Sequence, residues 1–291
     1  MQTSGAELRR PRVGHIQFLN CLPLYWGLVR SGALLDVELT TDTPDHLNDA
    51  LVRGELDIGP ISLVEYLRHP DELRLLPGLA VGSDGPVLSV VLVSSVPVEQ
   101  IRSVALGATS RTSVLLAEMV LEERFGLRPD YATMPPDLPT MLREADAAVL
   151  IGDPALRATF GVRPSGTTVL DLGQAWREES GTPMVFAVWA ARREFADRHP
   201  GLVKDVAEAF RSSLDLALAQ IETVAASAAR WEELDPATLA RYFRALDFRL
   251  GPDQQEGLRR FAGRLVRRGV LPAVPELVFA ETGGVVDNYP E

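Results

Sequence analysis

The chain has 291 residues, a formal net charge of −11 at pH 7, 46% apolar residues and 24% charged residues. This composition is typical of a soluble globular protein, and the length is sufficient for two domains of ordinary size. The excess of acidic residues repels nucleic acid and anionic lipid, so neither is expected as a partner. Cys21 is the only cysteine, which excludes an intrachain disulfide and a four-cysteine zinc or iron–sulfur site.

Targeting and cofactor-binding patterns are also missing from the sequence. The N-terminal segment contains no apolar run of the roughly 7 to 15 residues found in a secretory signal. No later window reaches the roughly 20 apolar residues of a membrane-spanning helix. The sequence therefore predicts a cytoplasmic protein. Lys204 is the only lysine and no GxxxxGK[ST] loop is present, so lysine-based cofactor chemistry has one candidate at most.

Strand-like and helix-like runs alternate through the first third of the chain. Arg12 to Leu19 is predicted as a strand, followed by a turn at Asn20 and a helix through Leu28 that ends near Gly32. Further predicted elements are the strands Val37 to Thr40, Leu56 to Ile61, Leu73 to Val81 and Val87 to Ser94, and a helix from Pro44 to Arg53. This pattern predicts a parallel sheet with right-handed crossovers.

The middle third begins a second pattern of the same kind. Ser103 to Leu106 is predicted as a strand, Gly107 to Ser113 as a polar loop, and Val114 to Phe125 as a helix. Ala147 to Ile151 and Met184 to Ala191 are predicted as buried apolar strands. Two such blocks in tandem predict two similar α/β lobes.

The last third is predicted to be helical. Apolar residues recur at intervals of three and four from Leu202 to Val224, and two further helices are predicted at Pro236 to Leu246 and Pro252 to Val266. Because these helices have no strands to complete, we expect them to pack against the first lobe.

The lobe boundaries follow from this assignment of strands. We expect the first lobe to comprise residues 1–96 and 192–291, and the second lobe to comprise residues 97–191. The chain would then cross between the lobes near Val96 to Gln100 and again near Arg192 to Glu194.

Familiar catalytic machinery is not visible in the sequence. The four histidines, which are His15, His46, His69 and His199, share no metal-ligand spacing such as HExxH. Neither a GxSxG nucleophile elbow nor a GxGxxG loop after a strand is present. The sequence therefore predicts no metal site, no α/β-hydrolase and no dinucleotide-binding domain.

Polar turns follow several predicted strands, and open α/β sheets bind ligands at the carboxyl ends of their strands. Asn20 is placed either to cap the first helix or to reach a ligand. Asp153, which follows Gly152, is placed either to cap the helix that comes after it or to face the ligand cleft. The segment Ser83 to Ser89 offers hydroxyls and backbone amides around Gly85, or is simply a turn.

The loop before the second lobe's first helix is the most polar of these turns. It contains Thr109, Ser110, Arg111, Thr112 and Ser113. Free backbone N–H groups, the positive end of the helix dipole and a guanidinium would together favour a carboxylate or a phosphate. Capping by Thr112 or Ser113 explains two of the hydroxyls but not the whole cluster.

Five segments of the sequence are distinctive: RVGHIQFLNCLPLYWGL, ELDIGPISLVEYLR, SDGPVLSVVLVS, the TSRTS loop and VLIGDPAL. Together they resemble the chorismate dehydratase family of the futalosine route to menaquinone. The resemblance runs from about Arg12 to Arg268. The combination of FLN-x-LP with SDGPV and IGDPAL carries its specificity, and the SPCPNDTF-like opening of the sister enzyme in that route is absent.

The resemblance implies a periplasmic-binding-protein-like type II fold, with two α/β lobes, a ligand cleft between them and C-terminal helices on the first lobe. It also implies that chorismate loses water to give 3-[(1-carboxyvinyl)oxy]benzoate without a metal or an organic cofactor. A non-catalytic protein that binds a small acid, either a solute receptor or an effector-binding regulator, would share this fold and is the alternative.

The resemblance also implies roles for the polar turns. Asn20 would hydrogen-bond the ring carboxylate or the departing hydroxyl and is the catalytic candidate. The substrate-binding candidates are Ser83, Gly85, Ser89, Thr109, Ser110, Arg111, Thr112, Ser113, Gly152 and Asp153. The base stays open: Asp153 would repel a dianion unless its pKa were raised, and the substrate's own enolpyruvyl carboxylate is the other candidate.

Overall fold

The computed structural model describes residues 10–107 and 110–281, whose ten strands form two five-stranded sheets. The strands are Arg12–Ile16 (β1), Glu38–Asp42 (β2), Ile58–Ser62 (β3), Leu73–Ser83 (β4), Val90–Ser94 (β5), Ser103–Gly107 (β6), Asp130–Met134 (β7), Ala147–Ile151 (β8), Thr168–Asp171 (β9) and Met184–Arg192 (β10). The first sheet has the order β2-β1-β3-β10-β4, and the second has the order β7-β6-β8-β5-β9. Each sheet with its helices forms one lobe, so the predicted pair of α/β lobes is confirmed.

Each sheet combines parallel strands with one antiparallel strand. β1 pairs in parallel with β2 and β3, whereas β10 pairs antiparallel with β3 and β4. In the second sheet β6 pairs in parallel with β7 and β8, whereas β5 pairs antiparallel with β8 and β9. The predicted parallel arrangement holds for the strands that alternate with helices, and the antiparallel strand of each sheet is the one that enters from the other lobe.

The structure corrects the predicted crossing points between the lobes. β5 belongs to the second sheet and β10 belongs to the first sheet, whereas the predicted boundaries assign them the other way round. The chain therefore crosses before each of these strands, at residues 84–89 and 181–183, rather than after it. Both strands are apolar runs buried on both faces, so their sequences carry no sign of which sheet they join.

Twelve α-helices surround the sheets in the described residues. They are Leu22–Ser31 (α1), Pro44–Arg53 (α2), Leu63–Arg68 (α3), Arg111–Met119 (α4), Leu138–Glu144 (α5), Gly152–Phe160 (α6), Leu172–Ser180 (α7), Arg193–Arg198 (α8), Pro200–Ala219 (α9), Ile221–Ala228 (α10), Pro236–Ala245 (α11) and Pro252–Arg267 (α12). The helix predicted from Leu202 to Val224 is two helices, α9 and α10, separated at Gln220. Among these residues, no helix has the length and apolar character needed to cross a bilayer.

Of the C-terminal helices, α9 packs on the first lobe, as predicted, whereas α12 contacts both lobes: it lies against β10 of the first sheet, and its Arg264 pairs with Glu179 in α7 of the second lobe. α9 lies against α1 and β4, and the backbones of α1 and α9 approach closely at Gly27. The Gly27 N–H donates a hydrogen bond to Ser213 Oγ at 2.7 Å. A Cβ atom at Gly27 would lie 2.6 Å from Ser213 Cα, so no larger residue fits without separating the two helices.

The close contact predicts the effect of adding a methyl group at this position. Gly27→Ala should lower the free energy of unfolding by about 1–3 kcal/mol, because the overpacked helices must separate. Gly263→Ala in α12 is the control, since the nearest atom there is Arg267 Nη1 at 4.0 Å, and it should be neutral or stabilising by up to about 1 kcal/mol. Urea unfolding of both variants provides the comparison; equal stability of the two would show that the α1–α9 contact is not tight.

Candidate functional site

A cavity of about 60 Å³ lies between the two sheets. Both lobes contribute to its wall, at the carboxyl ends of strands and the turns that follow them. The lining residues are Ile16, Phe18, Asn20, Pro44, Ser62, Val81, Val87, Ser89, Val90, Ser110, Ser113, Ile151, Gly152, Phe186 and Ala187. Its position is the one at which open α/β folds bind ligands.

The size of the cavity shows that the lobes are closed. Sites that bury a small organic ligand usually have volumes of about 300–1,000 Å³, whereas one liquid water occupies about 30 Å³. A cavity of about 60 Å³ has room for about two waters by this measure. The lobes must therefore separate to admit a larger ligand.

A larger pocket of about 350 Å³ lies elsewhere, between α1, α9 and the edge of the first sheet. Its wall is mostly apolar and includes Tyr25, Leu28 and Phe210, with Asp36 and Asp205 among its polar members. It lacks the convergent hydroxyl and amide groups of the cavity between the sheets. The smaller cavity is therefore the better candidate for a site that recognises a polar molecule.

Asn20 is the polar side chain from the first lobe that the sequence singles out, and it lies in the cavity wall. It belongs to a single 3-10 turn, Leu19–Cys21, between β1 and α1. α1 has Cys21 as its N-cap and receives no side-chain capping bond, so Asn20 does not cap that helix. Its Oδ1 atom is buried without a hydrogen-bond partner in the part of the chain that the structure describes.

Among the described residues, no protein group supplies a hydrogen bond to Asn20 Oδ1. A ligand hydroxyl or N–H bound in the cavity would supply one. The geometry of Asn20 therefore favours the ligand-binding alternative over the capping alternative.

Two hydroxyls at the start of α4 face Asn20's cavity from the second lobe. Ser110 is the N-cap, and its Oγ accepts a hydrogen bond from the Ser113 N–H at 3.4 Å. The Ser113 hydroxyl donates to the same oxygen at 3.1 Å. The loop predicted to extend to Ser113 therefore ends at Ser110, and the first turn of α4, with its unpaired N–H groups and positive dipole end, lies beside the cavity.

Thr112 and Arg111 do not line the cavity but connect the two lobes. The Thr112 hydroxyl oxygen accepts a hydrogen bond from the backbone N–H of Val64 in α3 at 3.1 Å, and both groups are buried. Thr112 is absent from the cavity wall and its hydroxyl oxygen is used across the interface, so its contact with substrate stays a prediction. Thr109, the remaining candidate of this loop, lies outside the described residues.

Arg111 forms ion pairs with carboxylates of the first lobe. Its guanidinium lies 2.6 Å from Glu65, 3.1 Å from Asp49 and 3.8 Å from Asp45. Glu65 is almost fully buried, with 5% of its side chain exposed. The predicted pairing of Arg111 with a substrate carboxylate is not what the closed structure shows, because protein carboxylates occupy the guanidinium.

These ion pairs predict that Arg111 stabilises the closed arrangement of the lobes. Arg111→Ala should shift the ligand-free protein towards an open form, because opening no longer breaks the pairs, and small-angle scattering should show a larger radius of gyration. Arg143→Ala removes the same charge from an exposed site bonded to Thr140 and should leave the radius unchanged. Equal radii for both variants would contradict this role of Arg111.

The segment Ser83 to Ser89 forms the first crossing between the lobes, and one of its predicted residues reaches the cavity. Ser89 is part of the wall, whereas Ser83 is fully buried and donates its hydroxyl hydrogen to the Gly85 carbonyl at 2.9 Å. Neither Ser83 nor Gly85 is in the wall. They shape the crossing, where Gly85 has φ of 118°.

Asp171 holds the same crossing in place beside the cavity. Its carboxylate accepts hydrogen bonds from the backbone N–H groups of Val87 at 3.1 Å and Leu88 at 2.7 Å. Leu88 has φ of 64°, a left-handed conformation that is costly for a branched side chain. Strain of this kind persists where the surroundings fix it, and it often lies beside functional sites.

Gly152 and Asp153 occupy the first turn of α6 and differ in their relation to the cavity. Gly152 is in the wall, and its φ of 59° is left-handed. Asp153 is not in the wall, and its Oδ1 atom accepts a hydrogen bond from the backbone N–H of Leu19 at 3.1 Å. It therefore neither contacts the cavity nor caps α6, whose N-cap is Ile151.

Ser62 and Asn48 are polar residues of the site that the sequence analysis missed. Ser62 lies in the cavity wall at the end of β3, and its backbone N–H donates to Asn48 Oδ1 at 2.9 Å. The Asn48 amide donates to the Ser62 hydroxyl oxygen at 3.4 Å. The sequence contains a pattern that could have identified Ser62, because this polar residue stands between a strand and a helix, as Asn20 does.

The residues that the structure places in the wall include no histidine, cysteine, tyrosine, acid or base. Groups nearby keep neutral forms at neutral pH: burial lowers the pKa of His15 to about 4 and raises the pKa of Cys21 to about 12. Burial also raises the pKa of Asp153, against the opposing effect of the Leu19 hydrogen bond. Within the described ranges, no group of three or more potential metal ligands is found.

Solved structures that resemble this one define the fold. A protein from Archaeoglobus fulgidus overlays with a TM-score of 0.73 at 20% identity, covering 90% of this chain and 98% of that one. The periplasmic aliphatic sulphonate binding protein SsuA from Escherichia coli overlays with a TM-score of 0.64 at 18% identity, covering 92% and 94%. The predicted periplasmic-binding-protein-like fold is therefore confirmed.

Sequence comparison defines the family. A family model described as menaquinone biosynthesis matches residues 11–267, so this chain belongs to the menaquinone biosynthesis family. It is also 32% identical over 270 residues to a protein from Thermus thermophilus named chorismate dehydratase, covering 88% of this chain and 96% of that protein.

Proposed function

We propose that this protein is a chorismate dehydratase that forms 3-[(1-carboxyvinyl)oxy]benzoate in the futalosine route to menaquinone. The observation that carries the proposal is the amide oxygen of Asn20, which is buried without a hydrogen-bond partner among the described residues, in a cavity between two closed lobes. The family membership and the name of the Thermus thermophilus relative supply the substrate. The cytoplasmic location stays a prediction from the sequence.

The chemistry requires little from the protein beyond position and environment. A proton leaves the ring carbon that is allylic to the double bond conjugated with the ring carboxylate. The electron pair of that C–H bond enters the ring, the neighbouring C–O bond breaks, and hydroxide departs with the proton as water. Because the product ring is aromatic and the intermediate carbanion is delocalised, much of the driving force belongs to the substrate.

The polar groups of the wall suit this task. Asn20 Oδ1 can only accept a hydrogen bond, so its natural partner is the substrate hydroxyl that departs rather than a carboxylate. The first turn of α4, with Ser110 and Ser113, offers donors and a positive dipole end to a carboxylate. Ser62 and Ser89 add further hydroxyls. Together these groups would hold the C–O bond in one orientation relative to the C–H bond that breaks.

The base follows from what the wall contains. Asn20 is not basic, and the described wall residues include no titratable group. Of the two candidates, the enolpyruvyl carboxylate of the substrate is therefore favoured over Asp153, whose oxygen accepts the Leu19 N–H outside the wall. Closure of the lobes would remove water from this carboxylate and strengthen its basicity.

The proposal is tested with purified protein and chorismate. The parent should consume chorismate and release a product lighter by one water, which mass spectrometry detects. Asn20→Ala should lower kcat about 100-fold, because the reacting bonds lose their orientation. Its melting temperature should stay within a few degrees of the parent value, because no described protein group hydrogen-bonds to Asn20 Oδ1.

Gln17→Ala is the matched control, since Gln17 is an exposed amide residue three positions earlier on the same connection. It should retain the parent kcat. Chorismate that binds to the parent without loss of water would identify a non-catalytic binding protein instead. Full activity of Asn20→Ala would show that the site is wrongly placed.

A flat pH profile is expected if no protein group near the cavity acts as acid or base. Between about pH 7 and pH 9 the substrate carboxylates are ionised, while His15, with its pKa lowered to about 4, and Cys21, with its pKa raised to about 12, both stay neutral. The kcat at saturating chorismate should therefore be constant across this range. A tenfold change of kcat per pH unit would reveal a titrating protein group.

A further inference from the structure

The turn that carries Asn20 is held by the opposite lobe. Asp153 Oδ1 accepts the backbone N–H of Leu19, the residue before Asn20, at 3.1 Å. Leu19 begins the 3-10 turn, and the residue at its N-cap, Phe18, supplies no side-chain capping bond. The carboxylate of the second lobe therefore does for this turn what an N-cap side chain does within a helix.

The neighbouring glycine brings the two segments together. Gly152 adopts φ of 59°, and a Cβ atom there would lie 2.9 Å from the Phe18 ring. The Gly152 N–H donates to the Ser89 carbonyl at 2.8 Å, which anchors it to the crossing beside the cavity. The two residues that precede Asn20 thus both contact the start of α6.

Both contacts exist only when the lobes are closed, because Phe18 and Leu19 belong to the first lobe and α6 belongs to the second. When the lobes open to admit substrate, the Leu19 N–H loses this acceptor and the Phe18 ring loses its contact with Gly152. The orientation of Asn20 is therefore tied to closure.

We infer that Asp153 is a positioning residue that fixes the turn bearing Asn20 as the lobes close, so that the reacting geometry is completed only in the closed form. This inference rests on the proposed function. Asp153 acts through Asn20, since its own carboxylate is outside the cavity wall. Its contribution should disappear when the Asn20 side chain is absent.

A double-mutant cycle on chorismate turnover tests this coupling. Asp153→Ala should lower kcat about tenfold and change KM less than about threefold, because the cavity is kept but Asn20 is misplaced. Adding Asp153→Ala to Asn20→Ala should lower kcat no further. Asp153→Asn keeps a carbonyl oxygen acceptor and should restore most of the parent kcat.

Asp137→Ala is the matched control, because Asp137 also belongs to the second lobe and accepts a backbone N–H, that of Thr140, at 3.0 Å. Asp137→Ala should lower the free energy of unfolding about as much as Asp153→Ala does, and it should keep the parent kcat. If Asp153→Ala does not fold, Asp153→Ser takes its place in the cycle, since serine is well tolerated at the start of a helix.

The outcomes separate the two proposals. An active parent with an unchanged kcat in Asp153→Ala, or with losses that multiply in the double variant, overturns the positioning role and leaves the proposed function standing. An equal loss of kcat in Asp137→Ala also overturns the positioning role. A parent that does not convert chorismate overturns the proposed function and this inference with it.

Discussion

The cavity depends on hydrogen bonds and ion pairs that cross from one lobe to the other. The Thr112 hydroxyl accepts the Val64 N–H, Asp153 accepts the Leu19 N–H, and Arg111 pairs with Glu65. Each of these contacts joins a turn at the carboxyl end of a strand to the facing lobe. Because these same turns carry the polar groups of the wall, separating the lobes would break these contacts and move the polar groups of the wall apart.

The distribution of charge fits an anionic ligand even though the chain as a whole is acidic. The cavity wall does not include Glu65, Asp45 or Asp49. These three carboxylates of the first lobe face Arg111 of the second lobe, which pairs with them. The described wall contributes only neutral dipoles, which stabilise an anion without the desolvation cost of a buried cation. In a cavity with room for only about two waters, such dipoles act more strongly than they would in bulk solution.

The sequence predicted the two lobes, most strands and a polar residue, Asn20, after the first strand, and the structure places Asn20 in the cavity wall. These features depend on local patterns: periodicity, turns at proline and glycine, and a polar residue after a strand. The sequence misplaced β5 and β10, since an apolar strand buried on both faces carries no information about its partners. It offered Arg111 and Thr112 as substrate ligands, whereas in the closed structure both contact the first lobe, because a polar helix start looks the same in sequence whether it faces a ligand or another lobe. The Asp153–Leu19 bond spans 134 positions and leaves no local trace in the sequence.

The most direct test of this account is a crystal structure of the protein with 3-[(1-carboxyvinyl)oxy]benzoate bound. The account predicts the ligand between the two sheets, with the ring carbon that has lost the hydroxyl facing the Asn20 side chain and a ligand carboxylate at the first turn of α4. A ligand in the apolar pocket beside Tyr25 and Phe210, or one between the lobes without contact to Asn20, would contradict it.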